Sequence, residues 1–525
     1  MRLQLFSLFI SALLLTCVST HKGHSDDDLL SHKCVHDEME HPELQFLDVE
    51  ERILTTENQE EGDQEGRNLA STTYPYLRIY PYYGYLSSST PASYATYIKT
   101  ELMPPVFAFF EKALRVKAPI AKKITVSSAI LTLCGKAVPS VLRSGVTADL
   151  FISLDTSYDS AGSWVAQSSP CFLSATTNRP LVGKSLLNRY LLKDATTNVL
   201  LHEKNIYCML HEITHILGFS YGLYPYFISS SGKKLTGHLL TRTLDGATSV
   251  VVNVAPLTAK LRSFFGCSTL AGAYMENSGS TATAGSHFER RQFVFEAMTS
   301  GLIYQQRYSQ FSLAMLEGSG WYVANYDYAE PYWFGQGQGC NFLTKSCSSS
   351  GFSYEEFCPT KGVRGCTSTG RGGGSCSADI RSDGCKFQYP NVNYDCENSA
   401  ASSYARLPSL QKFGRTAGSK CFEGTLSAST ASASSFCFTY TCSGSGSSTK
   451  LAVKVGTSTV YCTKAGNVSI SGYKGYITCP NPLEFCSTVG LKYCPRNCMG
   501  RGICSSSGTC SCYKGYKGVD CSLTI

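Results

Sequence analysis

Apolar residues recur along this chain with two periods, and the points where the period changes mark its elements. Between about Thr196 and Leu217, the residues Ile206, Leu210, Ile213 and Leu217 fall four, three and four apart, which is the spacing of one helix face. Gly218 follows at a place where the chain would leave that helix with positive φ. Pro104-Pro105 opens a second helical run through Val106, Phe109, Phe110, Ala113 and Leu114, and Phe311 to Glu317 reads as a third, ending near Gly318-Ser319-Gly320. Tyrosine and β-branched residues mark strands at Tyr74 to Tyr80, Ile124 to Val126, Leu150 to Leu154 and Val250 to Val254. This order predicts an α+β fold with a mixed sheet behind the long helix.

Composition divides the chain further. Met1-Arg2, the apolar run Leu3 to Leu15 and the small residues around Cys17-Val18-Ser19-Thr20 read as a signal peptide over 1–20, too short to span a bilayer. Residues 21–67 hold 15 acidic and 4 basic side chains and half of the ten histidines, whereas 68–525 carries a net charge of +17. An acidic leader on a basic body suggests a pro-segment, with Glu57 to Arg67 disordered and open to a protease. The further divisions expected are 68–222, carrying the long helix; 223–400, an insertion and a cysteine-rich centre; 401–490, a Ser, Thr and Gly-rich β-like part; and a small module over 491–525. Twenty-five cysteines argue for an oxidising compartment and a secreted or extracellular protein. Seven of them fall between Cys340 and Cys396 without paired C-x-x-C spacing, which favours disulfides over a zinc cluster. Without Cys17 and Cys34 the number is odd, so one thiol is free or paired between chains. Asn467-Val468-Ser469 is a glycosylation sequon. The basic residues form no stripe, so nucleic acid is not an expected partner. The last residues, Leu523-Thr524-Ile525, offer no apolar tail for a lipid anchor.

One motif names a chemistry. His211-Glu212-Ile213-Thr214-His215 is H-E-x-x-H, and on a helix its two imidazoles stand one turn apart, able to reach one zinc ion. Glu212 then lies close enough to lean over a metal-bound water. A catalytic zinc needs a third protein ligand and an open position. The compact metzincin spacing would place that ligand at 221, which is Tyr221. Only His238 and His287 follow the motif. His238, after Lys233-Lys234, reads as a basic surface turn, whereas His287 precedes Met298 in the order of a metzincin methionine turn. A carboxylate ligand, Glu276 or Asp245, remains an alternative. Residues 277–286 read as a surface loop that returns His287 to the metal.

These residues resemble the leishmanolysin family, in which a long insertion separates the H-E-x-x-H-x-x-G helix from the third zinc histidine. His211, Glu212, His215, Gly218, Phe219, His287 and Met298 match its pattern, and Asp149 to Leu154, Ser163 to Ala166 and Pro170-Cys171 resemble its upstream strand and cysteine segment. The resemblance runs from about 30 to 490. It implies a metzincin-like catalytic domain followed by disulfide-rich, mostly β or loop domains. It also implies Zn2+ on His211, His215 and His287, Glu212 as general base, Met298 as a floor beneath the metal, and protein or peptide substrates. His32-Lys33-Cys34-Val35-His36-Asp37 resembles the family's propeptide cysteine, so Cys34 would hold the zinc in a latent zymogen; a disulfide from Cys34 to the body is the alternative. The tail resembles an EGF-like module, which implies the pairs Cys494–Cys504, Cys498–Cys510 and Cys512–Cys521 and offers a possible cell-surface or matrix contact. Two rival readings stand beside the secreted zinc endopeptidase. One is a cysteine-rich adhesion protein with a vestigial protease domain, the other a different zinc enzyme with a carboxylate ligand.

Overall fold

The computed structural model describes residues 44–53, 74–86, 89–244, 246–277, 284–378, 380–396, 419–426, 434–505 and 508–525. The expected signal peptide, Cys34, the run from Glu57 to Arg67 and Asp245 lie outside them.

Five strands form the main sheet: β1 (Gln45–Leu47), β2 (Ile79–Tyr82), β3 (Leu150–Ser157), β4 (Ala166–Ser174) and β5 (Pro180–Asn188). Their order in space is β1-β4-β5-β3-β2. Only β4 and β5 pair antiparallel; the other three pairings are parallel, so the sheet is mixed. The first five residues of β3 are buried without alternation, as in a strand covered on both faces. Leu150, Ile152 and Leu154 join the larger core, while Phe151 turns to a second cluster with Ile124, Leu142, Phe172 and Val182.

The larger core holds α1 (Met103–Ala113) and α2 (Val199–Leu217). Asn198 caps α2 by accepting the Leu201 N–H at 3.0 Å, which satisfies one of the donors left open at a helix start. At its other end Gly218 takes φ 158° and ψ −13°. Where α2 crosses β5, a Cβ on Gly183 would stand 2.5 Å from Ile216 Cγ2, so the strand needs glycine for the helix to lie this close.

Downstream of α2, β6 (Leu239–Leu244), β7 (Ala247–Val252) and β8 (Ala273–Tyr274) form an antiparallel sheet in the order β8-β7-β6. The helix α3 (Ala255–Phe265) lies between β7 and β8 in sequence, and the disulfide Cys267–Cys340 ties its end to the next region. Then comes α4 (Gln310–Gly318), capped by Ser309. A separate six-stranded sheet spans residues 419–479, with its own core of Phe422, Phe438, Leu451, Val453 and Val455. In the tail, Gly502–Cys504 pairs with Cys510–Cys512 and Tyr516–Lys517 with Leu523–Thr524.

Eleven disulfides join the described cysteines apart from Cys208, which is free and buried in α2. All seven cysteines from Cys340 to Cys396 are in disulfides. The tail pairs as Cys494–Cys504, Cys498–Cys510 and Cys512–Cys521, the implied pattern.

Several expectations need correction. The strand expected over Tyr74 to Tyr80 begins only at Ile79; Tyr76 makes a single bridge to Arg115. Ile124 to Val126 is not a strand, since only Ile124 pairs, with Val146. Leu114 leaves α1 and starts a strand, Leu114–Val116, paired with Tyr322–Ala324. Within the acidic leader, β1 pairs with β4, and Glu51 reaches Arg179 at 3.4 Å with both side chains buried. Ser174 and Thr177 also donate hydroxyls to Glu51, so Gln45–Leu47 is an edge strand of the sheet and Glu51 is packed against it. Among the described residues no helix is long and apolar enough to cross a membrane.

Candidate metal centre

From Lys204 to Leu217 every residue of α2 is buried, so the face that carries His211, Glu212 and His215 meets protein and not bulk water. What it meets is the return of the chain at 285–301. Tyr221, in the position where a compact motif would need histidine, donates its backbone N–H to Ser286 Oγ at 2.8 Å and so anchors that return. Phe288 then bridges Met275 on one side and Thr299 on the other, which fixes His287 between two segments. The Glu276 N–H donates to His287 O, and the Phe288 N–H to Met298 O, each at 2.9 Å.

The result is a cluster of three imidazoles. His211 Nε2 lies 2.9 Å from His215 Nε2 and 3.3 Å from His287 Nε2, and one nitrogen from each ring falls within 4.8 Å of the others. His211 Nδ1 is 2.7 Å from Ala297 O, and His215 Nδ1 is 2.6 Å from Phe219 O. A carbonyl oxygen only accepts, so both Nδ1 atoms carry the proton and both neutral rings turn an Nε2 lone pair inward. Lone pairs facing each other in a buried site repel unless a cation lies between them. Three imidazoles with two tautomers set by carbonyls fit a borderline-soft divalent ion such as zinc.

Glu212 is buried beside His211 and lines a small cavity with it. Val165 and Ala166, at the start of β4, form one wall; Thr299, Gly301 and Leu302, after Met298, form another. Cys208, one turn before His211 and Glu212, lines the same cavity. Burial pushes its thiol well above the ordinary range, and the Glu212 charge adds to that, so it stays protonated and is a poor ligand.

Met298 is wholly buried, directly after Ala297, whose carbonyl meets His211. Glu296 holds the turn there. Its carboxylate accepts the Met298 N–H, the Ser309 hydroxyl at 2.9 Å and the Ser312 hydroxyl at 2.7 Å, linking the turn to the start of α4. Burial raises Glu296 to about 7 against the pull of these donors. The sequence showed Glu296 only as a neighbour of Met298; the sole mark of its role is that it precedes a serine-capped helix.

His238 is not on a surface turn. It is buried, its ring lies against Phe227, and Nε2 donates to Tyr224 O at 2.9 Å, so it supports the fold of the insertion away from the cluster. Glu276 stays outside the cluster too, its carboxylate accepting the Ser300 hydroxyl at 3.0 Å.

Comparison with known proteins bears on residues 93–524. The family model described as Leishmanolysin matches residues 93–492, and one described as a Teneurin-like EGF domain matches 494–524. A leishmanolysin-like peptidase from Caenorhabditis elegans is 28% identical over 349 residues, covering 52% of each chain. One from Drosophila melanogaster is 32% identical over 217 residues, 35% of this chain and 31% of that one. Leishmanolysin of Leishmania donovani is 25% identical over 431 residues, 73% of this chain and 69% of that one. The chain thus spans about half or less of the length of the animal relatives.

Proposed function

The chain belongs to the leishmanolysin family of metalloproteases, and from that premise we propose that it is a zinc-dependent endopeptidase acting on protein substrates, secreted as a latent zymogen. The observation that carries the reading is the inward convergence of three Nε2 atoms, two of them on rings locked by backbone carbonyls, with Glu212 next in line on the same helix.

His211, His215 and His287 would hold the ion. Zinc bound there supplies Lewis acidity, which lowers the pKa of a water towards about 7 and polarises a scissile carbonyl. Glu212, held beside the cluster, takes the proton from the attacking water and returns it to the leaving nitrogen. Burial of α2 keeps competing water away from the imidazoles, and the Met298 turn packs under them without donating a ligand. Val165 and Ala166 stand at the start of β4, whose residues 166–171 have no strand on their outer side among the described residues. An extended substrate could add there through main-chain hydrogen bonds. Eleven disulfides suit an extracellular compartment, and Cys34 is the group we assign to latency.

Glu212→Gln provides the test. It should keep stoichiometric zinc, read by atomic absorption, and lose about 10²- to 10⁴-fold in cleavage of a generic protein substrate, the range of a general base. Undiminished cleavage would remove Glu212 from its role. Loss of zinc would show that it is needed to build the site.

A further inference from the structure

The tail could be taken for a module that hangs from the peptidase by its linker. Its contacts are of another kind. Arg496 is completely buried, at the head of a left-handed turn in which Arg496, Asn497, Cys498 and Met499 all have φ between 46° and 55°. Its guanidinium reaches Asp520 within the module at 2.5 and 3.2 Å. It also lies 3.7 Å from Glu203 on α2, 3.8 Å from Glu330, and 4.8 Å from the centre of the Tyr207 ring on α2. Arg496 N–H donates to Glu330 at 3.3 Å. Around this centre, Ser522 Oγ meets His202 Nε2 of α2 at 3.2 Å, and Thr524 N–H donates to Glu101 at 2.9 Å. Met499 is buried in the same core as α1 and α2.

Glu330 carries the contact further. Its second oxygen accepts the Tyr207 hydroxyl at 2.6 Å and the Tyr308 N–H at 2.9 Å. The Tyr308 hydroxyl in turn meets Thr214 Oγ1, next to His215, at 2.7 Å. One polar chain therefore runs from Asp520 through Arg496 and Glu330 to both ends of α2 and to the segment leading out of the Met298 turn. Such a chain is satisfied only when all its members are in place, and a buried cation with its carboxylates removed is costly.

We propose that residues 494–525 are a docked partner of α2. They hold its first half against the segment after Met298, with Arg496 as the positioning residue. No disulfide joins the module to the rest, since its three bonds all lie within it. Docking is therefore noncovalent and can be measured by cutting the link.

The experiment inserts a specific protease site between Leu491 and Lys492 of the full chain, cleaves the folded protein, and follows the released module by size exclusion. The module should co-elute with the body, and the Arg496→Met variant should release it. In the uncut protein, amide exchange over residues 201–207 should accelerate at least tenfold in Arg496→Met and by less in Arg496→Lys, which keeps the charge. Free departure of the module from the otherwise unaltered protein would overturn the proposal, as would wild-type exchange in Arg496→Met. If Arg496→Met does not accumulate as folded protein, Ser522→Ala carries the test: it removes the hydroxyl that faces His202 and donates to Asp520 at 2.7 Å, and it should speed release, whereas unchanged release would count against the contact. Neither readout uses turnover, so the result stands apart from the peptidase assignment.

Discussion

His211 and His215 each spend one ring nitrogen on a main-chain carbonyl, and that turns the other nitrogen of each ring towards its neighbour. Those carbonyls belong to Ala297 and Phe219, and nothing in the identity of either residue marks the role, because every residue carries the same group. The spacing of His211, Glu212 and His215 was legible because a helix makes residues four apart neighbours. His287 was legible only by elimination and order, since its approach depends on the Tyr221 and Phe288 contacts across the insertion. Chelation should leave the inward lone pairs of His211 and His215 without a cation. We expect a fall in thermal midpoint, because an ion at 1,000 times its Kd contributes about 4 kcal/mol; calorimetry with and without chelator checks this. A second prediction concerns Gly183, whose missing Cβ leaves room for Ile216. Gly183→Ala should destabilise the protein by about 1–3 kcal/mol, an overpacking cost. Denaturant unfolding measures it, and an unchanged midpoint would show that α2 has slack over the sheet.

At the level of elements, α2 was read from its stripe and its motif, although burial from Lys204 to Leu217 means that its polar face meets protein and not solvent. The strands β4 and β5 escaped the reading. Ala166–Ser174 is rich in serine and contains Pro170, but Ser168 and Ser185 satisfy each other across the two strands at 2.7 Å, and the register shifts around Pro170 and Cys171. Hydroxyl pairing of this kind lets a polar sequence lie in a buried sheet, and no periodicity reveals it. Glu203, on the first turns of α2, gives a pH prediction. Burial alone would raise its carboxyl, but Arg371 and then Arg496 overcome that and hold it down to about 2. A carboxyl with a depressed pKa stabilises the folded state fully above its unfolded value of about 4.5, and the contribution fades as pH falls from there towards 2. The stake is on the order of 3 kcal/mol. Glu203→Gln should therefore flatten the acid limb of a stability-against-pH curve, and an identical limb would remove Glu203 as a cause.

Across the whole molecule, covalent and noncovalent cohesion are unevenly shared. Up to residue 339 the described chain closes one disulfide on itself, Cys134–Cys171, and the other ten involve cysteines from 340 onward. The histidine cluster is thus held by packing and hydrogen bonds, and the later part by sulfur. Composition marked the cysteine-rich run from Cys340, inside the expected division 223–400, but it could not show that β1 and Glu51 of the acidic leader pack against the body. Glu51 balances Arg179 in a place where both side chains are about 1% exposed. Glu51→Ala should cost about 3–5 kcal/mol, since it strands a buried guanidinium; a loss below 1 kcal/mol in denaturant unfolding would refute that.

The strand β1 bears on the latency proposed above. A cut between Glu57 and Arg67 severs a peptide bond, but it does not undo the pairing of Gln45–Leu47 with β4 or the burial of Glu51. The expected product is a heterodimer of unequal chains, a short acidic one seated on the edge of a long basic one. Intact mass spectrometry of the protein cut in this run should find, under native conditions, two N-termini in one particle.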